Sequence, residues 1–193
     1  MRNALARRMR RKSLLLLCLA LWVAPLPGAT LERLSLDDVI QKSSDIVRAK
    51  VVGYSADFRG GVIYTHWKLQ VTDRLKGGNQ PALEVLVPGG DAQGFHQDVP
   101  GAPALVQGQE YLFFLWTARS GSIYITGLSQ GFFQISTSAT NDAMVTRVPS
   151  GETMLDGSTW LPVKDDGFQM RYPDMVQRIS TALSQPAAKG AAR

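Results

Sequence analysis

Two apolar strands held apart by a long glycine- and proline-rich stretch constrain this chain more than any other feature. Leu83, Val85 and Val87 alternate as one buried strand, and residues 111–116 read as a second, almost wholly apolar one. Between them stand Pro88, Gly89, Gly90, Asp91, Gly94, Phe95, His96, Asp98, Pro100, Gly101, Pro103 and Gly108. A loop this long is uncommon inside a compact domain and is usually functional or disordered. Plain linkers carry few aromatic or titratable groups. The 88–108 loop is therefore the expected binding site, with Gly89, Gly90, Asp91, Phe95, His96 and Asp98 as its candidate residues.

Residues 1–29 read as an export signal, outside the fold. Arg2, Arg7, Arg8, Arg10, Arg11 and Lys12 come first, without an acid, and the uncharged run 14–24 follows. Pro25-Leu26-Pro27-Gly28-Ala29 then brings small residues to its end. That order describes a secretory signal peptide, and the run is short for a membrane span. Cleavage after Ala29 predicts a mature protein in the periplasm or outside the cell, with no stable membrane insertion. An uncleaved anchor is the alternative.

The charge story changes with the signal removed. The chain has 21 basic and 16 acidic residues, a net charge of +5. Six of the basic residues and none of the acidic ones precede Thr30, leaving 15 against 16 and a net charge of −1. The basic density that phosphate contacts require is missing, which excludes nucleic acid as the expected partner. The single cysteine, Cys18, lies in the apolar run behind Leu16 and Leu17, where a lipid-anchor signal would have small residues. The mature chain thus has neither thiol nor disulfide, and about 160 residues suffice to bury a core without them.

Beyond the signal, Ser35 caps a short amphipathic helix to about Lys42, with Asp37 and Asp38 at its positive end. From Asp45 the period changes to two: Val47, Ala49 and Val51 alternate with Arg48 and Lys50, and Gly53 ends the strand. After Gly60-Gly61, a longer strand puts Ile63, Thr65, Trp67, Leu69 and Val71 inward, and Tyr64, His66 and Lys68 outward. Further strands are expected at 123–126, 132–135 and 143–148. Asp166-Gly167 predicts a hairpin joining 159–163 to 168–172. Pro173-Asp174 then opens a helix with Val176, Ile179 and Leu183 on one stripe, followed by a flexible tail, 185–193.

No linker divides residues 30–184, which read as one domain. The fold class is mainly β: an antiparallel barrel, closed or partly open and OB-like, with a short N-terminal and a C-terminal helix. Closure also hides the sticky edges of apolar strands. Of the aromatics on these strands, the outward half is expected to form a second layer beneath the helices, the alternative being an exposed recognition patch.

Chemistry-bearing constellations are few. His66 and His96, the only histidines, lack ligand spacing, so no metal site and no cofactor are expected. No serine sits in a nucleophile elbow, Gly89-Gly90 lacks the lysine of a phosphate loop, and Asp165-Asp166-Gly167 reads as turn chemistry.

In order along the chain come 44–51, Tyr64-Thr65 with Leu69 and Val71, Leu75-Lys76-Gly77, Leu83-Glu84-Val85, and Gly108-Gln109-Glu110-Tyr111-Leu112-Phe113. This order resembles the strand skeleton of the netrin-module family, which includes the tissue inhibitors of metalloproteinases. The resemblance implies a five-stranded OB barrel. That family's disulfides and its N-terminal, zinc-reaching cysteine have no counterpart after residue 29. Gly28 to Leu31, Leu34 to Asp38, Val87-Pro88-Gly89-Gly90, Gly101-Ala102-Pro103 and 127–131 are also similar to a set of secreted bacterial proteins without an assigned function, which implies no activity.

The expected function is a non-catalytic binding module that presents the 88–108 loop to a protein or peptide partner. The alternative is a hydrolase, with or without a metal ion, using Asp91, His96 and Asp98. A purely structural envelope role is the third reading.

Overall fold

The computed structural model describes residues 30–138 and 142–185. The expected signal 1–29 and the expected tail beyond residue 185 lie outside them. The first elements are β1 (Thr30–Arg33), α1 (Leu36–Lys42), β2 (Asp45–Arg59), β3 (Val62–Lys76), β4 (Ala82–Pro88), β5 (Gly90–Ala92) and β6 (Phe95–Gln97). Then come β7 (Glu110–Thr117), β8 (Ile123–Ile125), β9 (Phe132–Thr137), β10 (Ala143–Arg147), β11 (Thr153–Asp156), β12 (Pro162–Val163), β13 (Phe168–Arg171) and α2 (Tyr172–Ser184).

The molecule is mainly β. Eight strands pair in the order β13-β10-β9-β7-β2-β3-β4-β8, and β8 pairs again with β7. The strands β7, β2, β3, β4 and β8 therefore make a partial ring. Its seam is short, with Val85↔Ile123 and Leu86↔Tyr124 joining β4 to β8. A second sheet pairs β1, β11 and β12.

Two cores flank this sheet, and β7 belongs to both. Leu112 and Phe114 point to a cluster with Val39 and Ile40 of α1 and Met175, Ile179 and Ala182 of α2. Tyr111, Phe113 and Leu115 point the other way, to Val47, Ala49, Val51, Leu69, Val85 and Ile125. Alternation along a strand buried on both faces explains the near-continuous apolar run. The expected aromatic layer beneath the helices holds for Phe114 and Phe133, but Trp116 stays open to solvent.

Helix α1 begins as its sequence predicts. The Ser35 hydroxyl accepts from the Asp38 amide, and the Asp38 carboxylate accepts from the Ser35 amide. At the other end, Lys76 Nζ donates to the carbonyls of Ile40 at 3.1 Å and Gln41 at 3.4 Å. A cation there suits the negative end of the dipole.

Several expectations are corrected. Strand β2 continues past Gly53 to Arg59, because Val52 is an extra residue between Val51↔Leu69 and Gly53↔Lys68. A bulge of this kind bends the ladder without ending it. The Asp166-Gly167 hairpin does not form: β12 pairs with β11, and β13 pairs with β10. Asp165 instead binds Arg147 and the amides of Ser150 and Gly167, which turns the chain from one sheet to the other. The pairings are not all antiparallel, since β1–β11 and β4–β8 are parallel. On α2 the buried residues are Met175, Ile179 and Ala182, with Leu183 only partly buried against them.

Candidate functional site

The 88–108 stretch is not a uniform loop, for it holds a small hairpin, β5–β6. Gln93 and Gly94 form its two-residue turn with φ of +52° and +81°. Positive φ at both positions matches the twist of paired strands. Gln-Gly is a weaker sign of such a turn than Asn-Gly, and the sequence reading passed over it.

Side-chain and backbone bonds pin the base of the hairpin to β3. The Gly89 amide donates to the Ile63 carbonyl at 2.7 Å, Thr65 Oγ1 donates to the Gly89 carbonyl at 2.7 Å, and the Ile63 amide donates to Gln97 Oε1 at 2.7 Å. The two glycines are what this approach demands. Gly89 has φ +98° and a Cβ there would sit 2.9 Å from the Gln97 carbonyl oxygen, while a Cβ on Gly90 would collide with Thr65 Oγ1. Of the candidate residues, these two build the site and the other four stand on it.

Asp91 and His96 are register partners across the hairpin. His96 Nδ1 lies 2.8 Å from Asp91 Oδ1, and Nε2 lies 3.1 Å from Asp98 Oδ1. All three side chains are exposed. The hydrogen bond to Asp91, followed by that to Asp98, holds the imidazole above its ordinary value. Both ring nitrogens therefore face carboxylates, and the protonated ring can donate to each. Phe95, next in sequence, is 66% exposed and meets Phe58 edge to face at 5.9 Å, Phe58 itself being 37% exposed.

The second histidine lies apart, on β3. His66 Nδ1 is 2.7 Å from Glu84 Oε1 on β4, and Nε2 is 3.0 Å from Asp57 Oδ1 on β2. Its outward direction is as expected, but the residue is only 8% exposed, since these carboxylates close over it. Burial pulls its pKa down and the bonds to Glu84 and Asp57 outweigh that, so the net shift is upward. The histidines share no carboxylate and do not converge. Among the described residues, no three His, Cys, Asp or Glu side chains form a group that could hold a metal ion.

A cleft of about 460 Å3 lies elsewhere, between β1, the start of α1 and the turns at Asp156 to Ser158 and Gly167, and no candidate loop residue lines it. Its polar groups serve the fold. Gln130 accepts from the Leu34 amide and donates to the Glu32 carbonyl, and the Asp156 carboxylate accepts from Ser158 and Thr159.

Sequence reasoning missed Phe58, Gln97 and Thr65. The signal for Phe58 was the pair Gly60-Gly61, which called for a hairpin whose first strand had to reach past Gly53. Gln97 and Thr65 gave none, because their roles arise only when hairpin and strand meet. No helix among the described residues is long and apolar enough to cross a membrane. No protein-family model matches this chain, and no curated protein is significantly similar to it.

Proposed function

We propose that this protein is an exported, non-catalytic binding module that offers its 88–108 segment, through the β5–β6 hairpin, to a protein or peptide partner. Export rests on the n-region, apolar run and small residues of 1–29. The scaffold is proposed to be an OB-like barrel. The pairing order β2-β3-β4-β8-β7 and back to β2, with one parallel neighbour pair, supports that architecture.

The observation that carries the reading is Phe95. A large apolar ring stands in solvent on a short hairpin whose base is held by three hydrogen bonds, so little ordering entropy is left to lose when a partner covers it. Exposed aromatic anchors with a polar rim are the usual centres of protein interfaces. Here the rim is Asp91, His96 and Asp98. The hydrolase reading finds less support, because Asp91, His96 and Asp98 stand exposed on the hairpin and none of them lines the cleft.

The test is differential capture. Wild-type protein, Phe95→Ala and Trp160→Ala, the last an equally exposed ring between β11 and β12, are immobilised and washed with cell-envelope extract. A partner retained by wild type and by Trp160→Ala but lost from Phe95→Ala fits the proposal. A partner retained equally by all three places recognition elsewhere.

A further inference from the structure

The outer face of β3, β8 and β7 carries a row of aromatic rings that the core does not use. Tyr64 and Tyr124 meet edge to face with centroids 6.4 Å apart, and Tyr124 stacks on Trp116 at 5.1 Å and 23°. Trp116 is 41% exposed. Register sets Leu86 of β4 beside Tyr124, and Leu86 also lines an open groove of about 450 Å3. Arg59, Gln80, Glu84, Ser120 and Ser122 are the polar residues that line that groove.

Two observations narrow what this face can take. The backbone of β4 is paired with β3 over Ala82–Pro88 and with β8 at Val85 and Leu86, so an extended peptide finds no free strand edge at the centre of this face. Recognition falls to side chains. The charges on this face are also balanced among themselves. Arg59 Nε lies 3.6 Å from Asp57, Asp57 and Glu84 clamp His66, and Lys68 is the register partner of Glu84. A phosphate chain or other polyanion needs cations free of such partners. What remains is flat aromatic surface beside donors and acceptors of little net charge.

A sugar ring has the matching character: an apolar C–H face that rests on an aromatic ring, and hydroxyls around its edge that both donate and accept. We infer that the Tyr64–Tyr124–Trp116 row and its adjoining groove bind a short, neutral oligosaccharide. Trp116 and Tyr124 carry the sugar faces, while Glu84, Gln80, Ser120 and Ser122 hydrogen-bond the hydroxyls. The hydrogen bond from His66 holds Glu84 in one place, which lowers the cost of ordering it. On β2 and β3 this face alternates with the one that bears Phe58, so the groove is a second surface, independent of the hairpin.

Calorimetric titration of the purified protein with cellohexaose, chitohexaose and maltohexaose tests this, with heparin as a polyanion control. Saturable binding of at least one hexasaccharide is expected, with tryptophan emission shifting as Trp116 is covered. Tyr124→Ala and Trp116→Ala should each weaken it at least about tenfold. Glu84→Gln, which keeps the side chain's shape and a hydrogen-bond acceptor for His66, should weaken it too, with the melting curve recorded beside it, and Phe95→Ala should bind as wild type. Absence of binding by all three sugars up to about 10 mM would overturn the inference. So would undiminished binding by both Tyr124→Ala and Glu84→Gln, or heparin binding more tightly than every hexasaccharide.

Discussion

His66 and His96 each sit between two carboxylates, yet burial gives them different consequences. His96 and its partners are open to water, where ion pairs contribute little. Replacing Asp91, His96 and Asp98 together with alanine should leave the melting curve in place while partner binding is lost. His66 is buried and its folded pKa is raised, so its protonated form favours the native state. The unfolded imidazole titrates near about 6.5. That contribution is therefore complete below about pH 6.5 and disappears as pH climbs through the folded value. Denaturant unfolding across this range should show a decline that His66→Gln removes, and an identical decline in the variant would contradict the assignment. Asp165 makes the opposite kind of pair. Its side chain is 4% exposed, accepts two bonds from Arg147 at 2.7 and 2.6 Å, and is held well below the usual carboxylate range by them. Asp165→Ala should cost about 1–3 kcal/mol by leaving a partly buried guanidinium and two backbone amides without their acceptor. A loss near zero would mean that water replaces the carboxylate. The sequence showed Asp165 as turn chemistry, which is half of its role, because the arginine that completes it lies on β10.

At the scale of elements, what the chain revealed was local. Helix α1 was legible because its capping residues are adjacent in sequence, and β3 because its apolar residues alternate without interruption. Strand β2 was read too short, since a bulge needs the partner strand to be seen. The Asp166-Gly167 hairpin was misread because each flanking strand found a better neighbour in another sheet. The hairpin that carries the candidate site was invisible for a related reason: its strands are three residues each, and β3 holds it in place. Trp67 shows the same limit in packing. It points inward as its alternation predicts but is only partly buried, with Tyr54 at 4.9 Å on its exposed side. Trp67→Ala should accordingly cost about 2 kcal/mol, below the about 3–5 kcal/mol of a fully buried ring such as Phe113. Urea unfolding of the two variants separates these values, and equal losses would contradict the burial argument.

For the molecule as a whole, stability comes from two cores that share β7, without any cross-link in residues 30–193, where the sequence has no cysteine. The melting temperature of that region should be indifferent to reductant, because no disulfide restricts the unfolded chain. A reductant-dependent shift would reveal another stabiliser. The scaffold and the proposed recognition element are thereby distinct: the cores hold the sheet, and the sheet holds out the β5–β6 hairpin. The most direct test is photocrosslinking in the cell that produces the protein. A photoreactive residue is placed at position 95 on the hairpin or at position 160, an equally exposed site on the turn between β11 and β12. The account predicts a discrete, light-dependent protein adduct from position 95 and none from position 160. Adducts of equal yield from both positions, or from position 160 alone, would contradict it.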